Sequence, residues 1–184
     1  TFDGKAYQGF KGDTVASALL ANGVKVMGRS FKYHRPRGVL TAGPQEPNAL
    51  LEVIGATNQT PNVRATVQEV FDGLTTRSQN RMGSLRFDLL AVNDLLSPFL
   101  SAGFYYKTFM YPQSFWMTYE KYIRKAAGLG RSPTENDPDT YDYMNRHCDV
   151  LIVGAGPAGL SAALAAARSG ARVILADEQE EFGG

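Results

Sequence analysis

The segment CDVLIVGAGPAGLSAALAAARSGARVILADEQEEFGG, residues 148–184, constrains this chain more than any other. Val150 to Val153 is a short apolar run of strand length. Gly154-Ala155-Gly156-Pro157-Ala158-Gly159 follows as G-x-G-x-x-G, and Leu160 to Ser169 is Ala-rich and helical in character. Gly170 ends that helix, Arg172 to Ala176 forms a second strand, and Asp177 lies 23 residues beyond Gly154. A glycine triplet alone says little. Placed between a strand and a helix, with an acid closing the next strand, it reads as the first β-α-β of a Rossmann-type α/β dinucleotide-binding domain.

Each glycine has a distinct task in such a turn. Gly154 allows the sharp bend, Gly156 lets backbone approach a pyrophosphate, and Gly159 lets helix and strand pack closely. Amides near Ala158 then face the phosphates from the helix N-terminus. Asp177 is placed to accept the ribose hydroxyls of an adenosine, and it disfavours a 2′-phosphate, hence NADP. Glu178 is a second possible acceptor or a solvated surface acid. The residues leave NAD and FAD open, and a turn that serves only packing is the remaining alternative.

The 184 residues carry a net charge of +1, so the chain has no polyelectrolyte character. One cysteine, Cys148, excludes an internal disulfide and a four-cysteine metal site. The apolar stretch from Val150 to Ala167 is explained by the glycine turn rather than by a membrane span. No secretory signal opens the chain. It begins without Met and stops shortly after a strand pattern, and so reads as a piece of a longer polypeptide.

The rest is built of small elements. Phe2 to Phe10 reads as a hairpin around Asp3-Gly4. A helix follows with Asp13 as N-cap, a Val15, Ala18 and Leu19 stripe, and Gly23 at its left-handed end. Val24 to Met27 is extended. Leu50 to Ile54, the alternating Val63-Ala65-Val67, and Leu74 to Ser78 are strands. Residues 1–82 thus form a small α+β domain. Residues 83–130 read as a helical connector, with Leu85, Leu89, Val92 and Leu96 at helical spacing over 84–100. A second helix is capped by Ser114 and carries Phe115, Tyr119, Tyr122 and Ile123. Ten of the twenty aromatic residues fall between Phe99 and Tyr122, which suits core packing or a docking surface for another chain. Residues 131–147 are polar, hold Pro133 and Pro138, and read as a linker; 148–184 begin the dinucleotide domain.

Lys25, Arg29, Lys32, Arg35 and Arg37 cluster with no acid between Asp13 and Glu46. Nucleic-acid contact, a grip on an anionic ligand, and a polar contact between domains or subunits are the alternatives. The balanced charge and the lack of an accompanying nucleic-acid motif favour the last. His34 reads as a packed or hydrogen-bonded side chain. No nucleophile–base pair and no metal set stands out, so no catalytic residue and no metal ligand is assigned.

Three stretches, GDTVASALLANGVKVMGRSFKYHRPRG, GFYYKTFMYP with IRKAAGLG, and CDVLIVGAGPAGL with VILADE, together resemble the N-terminal part of the α subunit of heterotetrameric sarcosine oxidase. The resemblance implies a bacterial cytoplasmic flavoenzyme with β, γ and δ partner subunits. Such an enzyme demethylates sarcosine oxidatively to glycine, makes hydrogen peroxide, and can pass the one-carbon unit to tetrahydrofolate. It implies FAD and FMN on the β subunit and NAD on the α subunit, contacted here by Gly154, Gly156, Ala158, Gly159, Asp177 and Glu178. It also implies a β-grasp, ferredoxin-like first domain. Relatives place cluster-binding cysteines after HRPRG. Here VLTAGPQEPNALLEV follows, so the expectation is a cluster-less β-grasp with no iron–sulfur cluster. An FAD-binding subunit of another amine or opine dehydrogenase, and a non-catalytic assembly module, are the rivals.

Overall fold

A computed structural model describes residues 1–55, 59–98, 100, 102–103, 109, 111–128, 130, 132–137, 140–178 and 182–183. The chain forms two compact units, Thr1–Pro138 and Asp139–Gly184.

The first unit is organised by a three-stranded antiparallel sheet in the order β4-β3-β5, with β3 Leu50–Ile54, β4 Gln59–Arg64 and β5 Thr75–Ser78. The central strand β3 pairs Leu51 with Val63 on one side and with Ser78 on the other. Its Glu52 stands opposite Arg77 and binds its guanidinium, a cross-strand pair of opposite charge. Pro61 sits in β4, an edge strand, where a missing amide does least harm. Helix α1, Val15–Ala21, buries Val15, Ala16, Ala18 and Leu19. These join Phe2, Met27, Ala49, Leu51, Ala65 and Leu74 in the buried core. Met27 and Leu51 are fully buried, each contributing about 1.5–3 kcal/mol of apolar transfer.

Several expectations shift in detail. The N-cap of α1 is Thr14, which forms a capping box with Ser17. Asp13 instead accepts from the Phe10 amide and the Ser17 hydroxyl, and these hold its carboxyl below the usual range. Gly23 takes φ +77 at the helix end. The opening hairpin is a single Phe2–Lys5 bridge. The extended 24–27 stretch leads into β1, Gly28–Arg29, paired with β2, Pro36–Arg37. The 63–67 strand ends at Arg64, because the chain turns there and Val67 N–H donates to the Arg64 carbonyl.

Residues 84–100 do not form one α-helix. Leu89–Asp94 is a 3-10 helix capped by Asp88. Helix α2, Trp116–Ala127, starts after a 3-10 turn, with Phe115 rather than Ser114 at its N-cap and no side-chain cap. It ends at Gly128 with φ +62, and the last turn carries Arg124 and Lys125. Of the aromatic segment, Phe99, Phe104, Tyr105 and Tyr106 lie outside the described residues. Phe115 and Tyr122 are exposed.

The second unit is a parallel pair, β6 Val150–Val153 and β7 Val173–Ala176, linked by helix α3, Pro157–Arg168. The helix packs on both strands. It begins three residues before the expected Leu160, because Pro157 suits the first helical position rather than breaking the helix.

Candidate functional site

The glycine turn sits between β6 and α3. The parallel register pairs Val153 with Ala176, and Gly154 N–H extends it by donating to the Ala176 carbonyl at 2.8 Å. Gly154 takes φ +99, a conformation that side-chain-bearing residues rarely adopt, so the bend depends on a glycine. Gly156 is the N-cap of α3, in extended backbone, and a Cβ built on it meets nothing within 4 Å among the described residues. Gly159 differs. A Cβ there would overlap the Gly154 carbonyl oxygen and lie 2.9 Å from its carbon. Helix and turn therefore touch through bare backbone.

Ala155 is fully buried in this bend. Its N–H donates to the Asp177 carboxylate, which lies just beyond β7. The acid is thereby fixed against the turn rather than projecting freely from the strand end. The first-turn amides of α3, including those of Ala158 and Gly159, have no intrahelical acceptor. An oriented carboxylate and a set of forward-facing amides thus share one end of the β-α-β. Glu178 follows Asp177.

A second cluster lies in the first unit, where the sequence shows only a basic patch. Arg29 donates from Nη1 to the His34 carbonyl at 2.8 Å and from Nε to the Leu85 carbonyl at 3.0 Å. Arg35 pairs with Asp94, with Nε 2.7 Å from Oδ1. Its guanidinium also lies over the Tyr33 ring. Tyr33 in turn donates to the Leu100 carbonyl at 2.8 Å. The 29–35 segment is thus tied to the 85–100 segment by polar contacts.

His34 is fully buried at φ +53, with Nδ1 2.7 Å from Asp88 Oδ2. Asp88 Oδ1 accepts from the Met82 and Leu90 amides. The carboxylate orients the imidazole, and full burial keeps it from any substrate in solution. His34 Nε2 and Asn80 Oδ1 are buried and have no hydrogen-bond partner among the described residues. Asn80 lines a cavity of about 230 Å³ together with Arg29, Arg37, Asn48, Asn62 and Gly128. Asp88, Asn80 and Glu46 were not singled out from the sequence. Each is a lone polar residue in a loop, and its importance comes from three-dimensional partners.

Comparison with known proteins gives the site its family context. Residues 1–81 match the family described as 2Fe-2S iron-sulfur cluster binding domain, and residues 149–184 match FAD dependent oxidoreductase. The sarcosine oxidase α subunit of Rhizobium meliloti (strain 1021) is 62% identical over 100% of this chain and 19% of its own length. The sarcosine oxidase α subunit of Corynebacterium sp. (strain U-96) is 40% identical over 100% of this chain and 14% of its own length. A solved L-proline dehydrogenase from P. horikoshii aligns over all of this chain and 25% of its own, at 21% identity and a TM-score of 0.44. The chain thus spans about a fifth or less of the length of the curated relatives it matches. It corresponds to the N-terminal region of sarcosine oxidase α subunits. Its architecture is an iron–sulfur ferredoxin-type domain followed by the Rossmann-like start of an FAD-oxidoreductase domain.

One expectation is corrected by these matches. The expectation of a ferredoxin-like first domain with no iron–sulfur cluster conflicts with the match of residues 1–81 to a 2Fe-2S iron-sulfur cluster binding domain. The donor set is a separate observation. A [2Fe–2S] cluster is held by four protein ligands, usually thiolates. Residues 1–81 contain no cysteine, and Cys148 lies in the second unit. Among the described residues no group of three or more His, Cys, Asp or Glu could hold a metal ion. The residues present do not fit a four-thiolate cluster. Also among the described residues, no helix is long and apolar enough to cross a membrane.

Proposed function

We propose that this chain is the part of a sarcosine oxidase α subunit that grips the pyrophosphate and adenosine ribose of NAD. The observation that carries this is the bond from the Ala155 amide to the Asp177 carboxylate. It brings the ribose acid and the phosphate turn to one end of the β-α-β. Gly154, Gly156, Ala158 and Gly159 supply the turn and its amides, Asp177 accepts from the ribose, and Glu178 stands beside it. An acid at this place favours a free 2′-hydroxyl over a 2′-phosphate.

NAD, once bound, supplies hydride-transfer chemistry. The chain's own residues bind and orient. The α3 amides place the pyrophosphate, the glycines admit it, and Asp177 fixes the adenosine end. We assign no catalytic residue to these residues. The domain division we propose is 1–82, 83–130, 131–147 and 148–184.

The whole enzyme, on this reading, oxidatively demethylates sarcosine to glycine, produces hydrogen peroxide and transfers a one-carbon unit to tetrahydrofolate. It does so with β, γ and δ subunits in the cytoplasm. A second reading, FAD at the same turn, is favoured by the match of residues 149–184 to FAD dependent oxidoreductases. Denaturing the purified full-length subunit and identifying the released nucleotide by mass spectrometry separates the two. NAD supports the first reading, FAD the second, and no nucleotide in a folded, assembled subunit would sink both.

A further inference from the structure

The loop between β2 and β3 closes around an anion of its own. Glu46 is 2% exposed, yet among the described residues no cation pairs with it. Its Oε2 accepts from the Leu40 amide at 2.8 Å, the Thr41 amide at 2.7 Å and the Thr41 hydroxyl at 3.3 Å. Its Oε1 accepts from the Asn48 amide at 2.8 Å and the Ala49 amide at 3.1 Å. The donors come from both limbs of the loop and share the charge between both oxygens.

An isolated carboxylate pays heavily for burial, and a buried charge ordinarily needs a cation or a metal. Here burial pushes the Glu46 carboxyl upward, and the four amides more than reverse it, leaving it below its usual range. Converging backbone N–H groups form a concavity that selects anions. The cradle is itself anchored. The Gly43 carbonyl accepts from the Glu46 amide at 3.2 Å and from the Thr66 hydroxyl at 2.7 Å. Asn48, whose amide Glu46 holds, and the adjacent Pro47 form part of the wall of the 230 Å³ cavity.

We propose that loop 38–49 is an anion-binding cradle that the chain fills with its own Glu46 carboxylate. When that side chain is cut back, the cradle takes a small planar carboxylate such as formate or acetate. The donor set fits this class. Two pairs of amides address the two oxygens of one carboxylate, which a spherical halide cannot reproduce.

The test uses the full-length subunit carrying Glu46→Ala and, separately, Glu46→Gln. Thermal unfolding is followed in chloride and in formate or acetate at equal ionic strength. Glu46→Ala is expected to lower the midpoint of the first domain by roughly 5–10 °C. Formate or acetate then restores it saturably, as ligand binding to the folded state requires. Glu46→Gln is expected to fall without rescue, because its amide group turns donors toward donors. If Glu46→Ala does not fold in chloride, its refolding yield in formate against chloride is the readout. In either form, formate and acetate acting no better than chloride overturns the proposal. So does fast hydrogen exchange at the Leu40, Thr41, Asn48 and Ala49 amides of the unaltered subunit.

Discussion

Adding one methyl group to each of two glycines separates two jobs within the same turn. At Gly159 a Cβ would overlap the Gly154 carbonyl oxygen and sit 2.9 Å from the Gly154 carbonyl carbon. Both are backbone atoms, so no side-chain rotamer can relieve the contact. The helix start or the turn must retreat by more than about 1 Å, and overpacking of this kind costs about 1–3 kcal/mol. Because the turn also carries the phosphate-facing amides, Gly159→Ala is expected to lose local stability and nucleotide affinity together. At Gly156 nothing among the described residues lies within 4 Å of a Cβ, and φ is −66. Gly156→Ala is therefore expected to fold normally and still bind NAD at least about tenfold more weakly, which is about 1.4 kcal/mol. The lost space there belongs to the ligand. Calorimetric titration of the full-length subunit with NAD reads affinity, and hydrogen exchange over residues 150–176 reads local opening. Unchanged exchange in Gly159→Ala, or unchanged affinity in Gly156→Ala, would refute this division of labour.

Asp177→Ala removes a charged acceptor and should weaken NAD binding by about 1.5–3 kcal/mol, roughly one to two decades in Kd by calorimetry. Arg29 donates to the Leu85 and His34 carbonyls, so Arg29→Ala should destabilise the first unit by about 2–4 kcal/mol in denaturant titration. Arg35→Ala breaks a pair whose side chains are 49% and 43% exposed, and should leave the midpoint nearly unchanged in the same assay, because solvent screens the pair. Equal losses for the two arginines would contradict the assignment. Burial raises the Glu46 carboxyl and the Thr41, Asn48, Leu40 and Ala49 amides outweigh it, holding the folded group below the usual carboxylate range. The stability it supplies is complete above the unfolded pKa and is lost as pH falls through the lower folded value. Acid unfolding of the first unit below about pH 4.5 should therefore be less steep in Glu46→Gln than in the unaltered chain.

The sequence makes the second unit easier to read than the first, for physical reasons. Strand β6, the glycine bend and β7 follow from local signals, since Gly154 needs positive φ and the apolar runs are bounded by turn residues. The boundaries there shift by one residue at the end of α3 and at the start of β7, and by three at the start of α3, where Pro157 occupies the first helical position. In the first unit, β3 is legible because four of its five residues, Leu50, Leu51, Val53 and Ile54, are apolar. The 84–100 segment is not. Leu85, Leu89, Val92 and Leu96 have helical spacing, but Leu89 and Val92 are 60% and 52% exposed, so no burial rewards a long helix. Asp88 meanwhile binds the Met82 and Leu90 amides, and a side chain that captures backbone amides competes with helix propagation. The Asp88–His34 pair spans 54 residues, and Glu46 depends on how a Gly- and Pro-rich loop folds back on itself. Neither leaves a periodic trace.

Hydrogen exchange of the full-length subunit with and without NAD tests the central claim most directly, because it locates binding as well as detecting it. NAD should slow exchange across residues 153–160, where the turn and the first amides of α3 lie, and at residues 175–178 around Asp177. NAD that binds while leaving both stretches unprotected would contradict the assignment of this turn as its site.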